Sequence, residues 1–199
     1  MAGGVHAGSQ LRWHEALCRI QVGKLRDVTA ESGRALRPER LPQKGGVYAF
    51  WWTGADSLLT SPECNRRIEL HGPGGRPVLL HLDDEWLGLA TGLPIPLYVG
   101  KNADSIAKRI GQHLRLNDDR ITATFDGHRK QERPTTSCQA RAGIEHLFPR
   151  MENTRDLILD NVGLSWVVLD GDDHAANRFY LEDLAIGLMR PILNIDVER

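Results

Sequence analysis

The sequence predicts an α+β fold: a small mixed or antiparallel three-stranded sheet flanked by helices, with a long insert between its first two strands. Three observations predict it. Gly46-Val47-Tyr48-Ala49-Phe50-Trp51-Trp52, Ile95-Pro96-Leu97-Tyr98-Val99 and Gly163-Leu164-Ser165-Trp166-Val167-Val168-Leu169 are short runs rich in β-branched and aromatic residues. Helix-periodic segments surround them. Roughly forty residues separate the first two runs, where a hairpin needs only a few. A chain of 199 residues can bury one sizeable core, and no repeat or linker divides it.

Residues 1–45 read as an N-terminal tail and helix. Residues 1–10 are the tail. Residues 11–36 are the helix, with Trp13, Leu17, Ile20 and Leu25 periodic, Gly23 a weak point, and Pro38 and Pro42 beyond its end. The domain proper is 46–199, with the insert at about 55–94. Pro96 stands at a strand entrance, where a missing N–H is tolerated. Within the insert, residues 66–70 and 78–82 flank Gly72-Pro73-Gly74-Gly75 as a hairpin would, and residues 83–87 suit a helical turn. The insert is a functional or partner surface, or alternatively a decorated loop.

A helix follows Lys101, capped by Asp104 or Ser105, with Ile106, Ile110 and Leu114 as its buried stripe. Arg109 and His113, four apart, share a neighbouring face. Residues 117–134 are polar and turn-rich, with Arg129 and Lys130 at the tip. Thr136 or Ser137 caps a helix through Ile144, Leu147 and Phe148, and a short helix is expected near residues 156–159. The last helix runs from about His174 to Arg190, where Pro191 stops it. It is apolar most of the way round, yet carries Glu182 in that belt. A carboxylate there costs several kcal/mol unless it is paired or binds metal. An ion pair with Arg178 is the structural alternative.

Composition is that of a soluble globular protein, 41% apolar and 26% charged. No apolar run approaches a membrane span, and the first residues lack the apolar core of a secretory signal. Three widely spaced cysteines form neither a disulfide framework nor a metal pattern, so the cytoplasm is the expected compartment. Net charge is −1, but unevenly spread: +3 over 1–60, −2 over 61–100, +4 over 101–155 and −6 over 156–199. The basic segments suit a face that tracks phosphates, and a mixed solvated surface is the alternative.

Gly46-Val47-Tyr48, Tyr98-Val99-Gly100-Lys101, Arg109, Glu182 and Asn194 form an ordered series that resembles the GIY-YIG nuclease superfamily. That pattern is Gly-Ile-Tyr, then Tyr-Ile-Gly-Lys, a helical arginine, a helical glutamate and a closing asparagine. Arg109-Ile110-Gly111-Gln112-His113 is similar to the Arg-x-x-x-His of its type II restriction endonucleases, which also carry an insert between the motif strands. The resemblance covers about residues 46–58, 95–114 and 163–196. It implies a metal-dependent endonuclease that hydrolyses DNA phosphodiester bonds. Tyr48 would deprotonate water, Tyr98 would bond near the phosphate and Lys101 would lower a phenol pKa. Arg109 would grip the phosphate, His113 would orient Tyr48 or share its proton, Glu182 would hold Mg²⁺ (or Mn²⁺), and Asn194 would brace the site. One carboxylate suffices for Mg²⁺, which keeps several waters.

Arg66, Arg67, Lys108, Arg115, Arg129 and Lys130 are the basic side chains expected on DNA. A homodimer about a two-fold axis would match a palindromic duplex. The alternatives are a repair, mobile-element or defence nuclease that selects structure, and a nucleic-acid-binding module that lost catalysis. Specificity is expected from the insert, the 117–135 loop, dimerisation or another protein.

Overall fold

In the computed structural model, residues 7–71, 76–85, 87, 94–122 and 139–194 are described. In chain order the elements are α1 (Ala7–Leu17), β1 (Gly46–Trp52), α2 (Asp56–Thr60), β2 (Arg67–His71), β3 (Pro77–His81), β4 (Ile95–Asn102), α3 (Ile106–Leu114), α4 (Gln139–Leu147), α5 (Thr154–Asn161), β5 (Val162–Val168) and α6 (Ala175–Met189). The three anticipated strands form one sheet in the order β4-β1-β5, antiparallel throughout.

Every residue of β1 is buried. Successive side chains of a strand point to opposite faces, and both sets here are apolar or aromatic. Tyr48, Phe50 and Trp52 enter the larger core with Ile106, Ile110 and Leu114 of α3. Val47, Ala49 and Trp51 pack against Leu17 of α1 and Leu181 and Ala185 of α6. Gly46 lets the sheet close, since a Cβ there would lie 2.1 Å from the Val167 carbonyl oxygen. Pairing skips Leu97, so β4 bulges just after Pro96.

Both outer edges of the sheet are closed by a carboxamide side chain that pairs as a peptide would. On β5, Gln21 accepts from the Trp166 N–H at 2.7 Å and donates to the Trp166 carbonyl at 3.0 Å. On β4, Asn194 accepts from the Val99 N–H at 2.7 Å and donates to its carbonyl at 2.8 Å.

The N-terminal segment departs from the sequence reading. Residues 7–10 are helical, and α1 ends at Leu17 rather than continuing to residue 36. Val22 instead bridges to Leu164 on the β5 edge, and a 3-10 turn spans Leu25–Val28. Satisfying an open sheet edge outweighs a weak helical periodicity interrupted by Gly23. Leu25, Val28 and Leu41 join the same core as Tyr48.

The insert holds the anticipated hairpin, β2 against β3, with Ile68, Leu80 and Leu82 buried. Its turn at 72–75 lies outside the described residues, as do Trp86 and the 123–138 stretch containing Arg129, Lys130 and the expected caps Thr136 and Ser137. The Leu87 N–H donates to the Asp83 carbonyl, closing one helical turn. Ser105, not Asp104, caps α3 by accepting from the Lys108 N–H at 3.2 Å. α6 ends at Met189, and Arg190 turns left-handed just before Pro191. Among the described residues no helix is long and apolar enough to cross a membrane.

Candidate active site

β1 and β4 bring the two motif tyrosines together through glycine. Tyr48 pairs with Gly100, and a Cβ on Gly100 would lie 2.6 Å from Tyr48 Oη and 2.8 Å from Tyr98 Cε1. Any larger residue would displace both rings, so the glycine of Tyr98-Val99-Gly100-Lys101 is required by packing.

α3 lies over this point. Its buried stripe carries His113 inward, fully buried, with Nε2 2.7 Å from Tyr48 Oη. The imidazole also packs against Tyr98, ring centroids 4.7 Å apart, and against Phe50 at 5.8 Å. His113 Nδ1 is buried with no partner. Burial first, then the nearby Arg109 charge, pulls the His113 pKa down to about 3, so the ring is neutral near pH 7. A neutral ring carries one N–H. The tautomer that carries it on Nε2, donating to Tyr48 Oη, is the one that favours negative charge on the phenol oxygen.

Desolvation raises the Tyr48 pKa far above its ordinary value, and the neighbouring Tyr98 and Glu182 push the same way. Arg109, one helical turn before His113, opposes them. It is half-buried and donates to Gln112 Oε1 at 3.2 Å. Near pH 7 Tyr48 is therefore a protonated phenol beside a guanidinium.

The other half of the site comes from the opposite face of the sheet. Strand alternation puts Lys101 with Val99 on the α6 side. There Lys101 forms an ion pair with Glu182, which is 9% exposed, and its ammonium lies 5.1 Å from the Phe179 ring centroid. The alternative partner for Glu182 does not form: Arg178 donates to the Leu169 and Gly171 carbonyls at 2.6 and 2.8 Å. Gly100 puts no side chain between the two sets, and the Glu182 charge lies near enough to Tyr48 to raise its pKa.

Among the described residues no group of three or more His, Cys, Asp or Glu could hold a metal ion. Glu182 offers one carboxylate. That donor set suits a hydrated Mg²⁺ completed by phosphate oxygens, not a metal needing three or four protein ligands.

Of the basic side chains expected on DNA, Lys108 and Arg115 are exposed on or just after α3, Arg115 paired with Asp118 at 3.2 Å. Arg66 and Arg67 stand at the start of the insert hairpin. Arg129 and Lys130 lie outside the described residues.

Sequence reasoning missed Arg141 and Glu145, four apart on α4 and both fully buried. Arg141 donates to the carbonyls of Leu114, Arg115, Asp118 and Asp119 and to Glu145 Oε1 at 2.9 Å. Glu145 accepts from the N–H groups of Ile121 and Thr122 and from the Thr154 hydroxyl. Together they pin the chain that leaves α3, and with it the helix bearing Arg109 and His113. The one available signal was an Arg-x-x-x-Glu pair among small apolar neighbours.

The site belongs to an α+β domain with a three-stranded antiparallel sheet. No family model matches the chain, and no curated protein matches it.

Proposed function

We propose that this chain is a metal-dependent endonuclease of the GIY-YIG kind, hydrolysing phosphodiester bonds of duplex DNA as restriction-type enzymes do. One observation supports the reading: Tyr48, Tyr98, His113 and Arg109 gather beside Gly100 on one face of the sheet, and the Lys101–Glu182 pair starts from the next residue of β4 on the other face.

Phosphodiester hydrolysis needs a deprotonated water, charge stabilisation at phosphorus and help for the leaving oxygen. Tyr48 takes the proton of the attacking water. It acts only once its own proton has passed to solvent, and the Arg109 charge with the His113 N–H supports the resulting phenolate. Arg109 also faces the charge that builds on the phosphate. Glu182 would hold Mg²⁺, which when bound supplies Lewis acidity to the phosphate. Lys101, through their ion pair, holds that carboxylate in place until substrate arrives. Asn194 fixes the β4 edge beneath the site. One such set cuts one strand, so two copies about a two-fold axis cut both.

Digestion of supercoiled plasmid in Mg²⁺ tests this reading. Wild-type protein yields linear DNA without prior accumulation of nicked circles, and Glu182→Gln binds DNA but does not cut it. Near wild-type cutting by Glu182→Gln removes the metal assignment, and nicked circles that precede linear DNA, from a strictly monomeric species, remove the dimer.

A further inference from the structure

The insert builds a second feature that the reaction centre does not use. Between the start of β2 and the end of α4 lies a cleft of roughly 560 Å³, lined by Glu63, Asn65, Arg66, Arg67, His81 and Arg150 among others. Its walls are fixed. The Asn65 N–H donates to the Leu147 carbonyl at 2.7 Å, tying the hairpin to α4. Ile68 and Leu82, on the inward face of the hairpin, are buried in the main core. Arg66 braces the rim, donating to the Leu59 carbonyl at 3.2 Å and to Asp84 at 2.5 Å.

Arg67 and Arg150 differ from Arg66. Both are exposed, and among the described residues neither guanidinium has a carboxylate partner. Arg67 sits opposite His81 in the β2–β3 register, so both side chains leave the same face of the hairpin. Three guanidinium groups and an imidazole thus face one carboxylate, Glu63, in a concave surface. Planar guanidinium forks suit paired phosphate oxygens.

Trp52, at the far end of β1 from Tyr48, stacks on Phe148, two residues before Arg150. Four strand residues span about 13 Å. The cleft therefore lies away from the reaction centre rather than at it.

We propose that this cleft is a nucleic-acid backbone site, in which Arg67 and Arg150 grip a phosphate away from the scissile bond and Arg66 positions the wall. The proposal rests on the endonuclease reading. It is tested by fluorescence polarisation of labelled duplex DNA with the full chain, in EDTA, across a salt series. Arg67→Ala and Arg150→Ala are surface changes, and Arg12→Ala on α1 is the control. Each cleft variant weakens binding across unrelated sequences and lowers the slope of log affinity against log salt by about 0.9. Arg12→Ala leaves the slope unchanged. Wild-type binding with cleft variants indistinguishable from Arg12→Ala overturns the cleft and leaves the nuclease reading standing. Absence of wild-type DNA binding at every salt concentration overturns both.

Discussion

Tyr48 Oη and His113 Nε2 lie 2.7 Å apart, both side chains fully buried, on elements 65 positions apart in sequence. The bond joins the middle strand of the sheet to the helix above it. It also ties the proposed base to a ring that carries no charge near pH 7.

That ring gives stability a pH dependence of known sign. In the unfolded chain a histidine titrates near 6.5, whereas buried His113 is held at about 3. Between those values the unfolded state binds a proton that the folded state does not. The stabilising contribution is therefore complete above about pH 6.5 and is lost as pH falls, by about 1.4 kcal/mol per unit down to about pH 3. Urea unfolding at pH 4.5 and 7 should show a larger acid loss for wild type than for His113→Gln. Equal losses would mean that His113 is not buried neutral.

Arg109 faces Tyr48 and its partner histidine rather than an acidic side chain. Arg109→Ala should cut turnover by roughly 10²-fold or more while DNA affinity falls only modestly. An affinity loss accounting for the whole rate loss would make Arg109 a simple phosphate anchor.

Arg141 is a structural counterpart to these groups. Arg141→Ala takes from the buried Glu145 carboxylate its closer guanidinium, leaving Arg120 at 3.8 Å, and frees four carbonyls at the end of α3. Breaking one side of such a pair costs about 3–5 kcal/mol. Denaturant unfolding should show that loss, and a change under about 1 kcal/mol would contradict the pinning role.

How much of this was legible in the sequence depended on how local the cause was. The three strands were legible because their β-branched and aromatic runs are local. The Ile106, Ile110, Leu114 stripe of α3 was legible for the same reason. Glu182 in the apolar belt was visible, but its partner was not: Arg178 was the local candidate, while Lys101 is 81 positions away in sequence. Residues 18–41 misled because their structure comes from the Val22 bridge and the Gln21 carboxamide, which need the β5 edge to exist first. Arg141 was silent because most of its partners are backbone carbonyls, which no side-chain pattern announces. The Tyr48–His113 contact came from the ordered motif resemblance, not from either residue alone.

The central claim is that Tyr48, held by His113 and Arg109, is the base of a phosphodiester cleavage. Tyr48→Phe tests it most directly, because the ring still packs over Gly100 and only the hydroxyl is lost. Purified wild-type and variant proteins are compared on a long duplex in Mg²⁺, with DNA binding measured alongside. The account predicts that wild type cleaves, and that Tyr48→Phe binds equally but cleaves about 10²-fold or more slowly. A wild-type protein that binds duplex without cutting it, or a Tyr48→Phe variant that cuts at the wild-type rate, would contradict it.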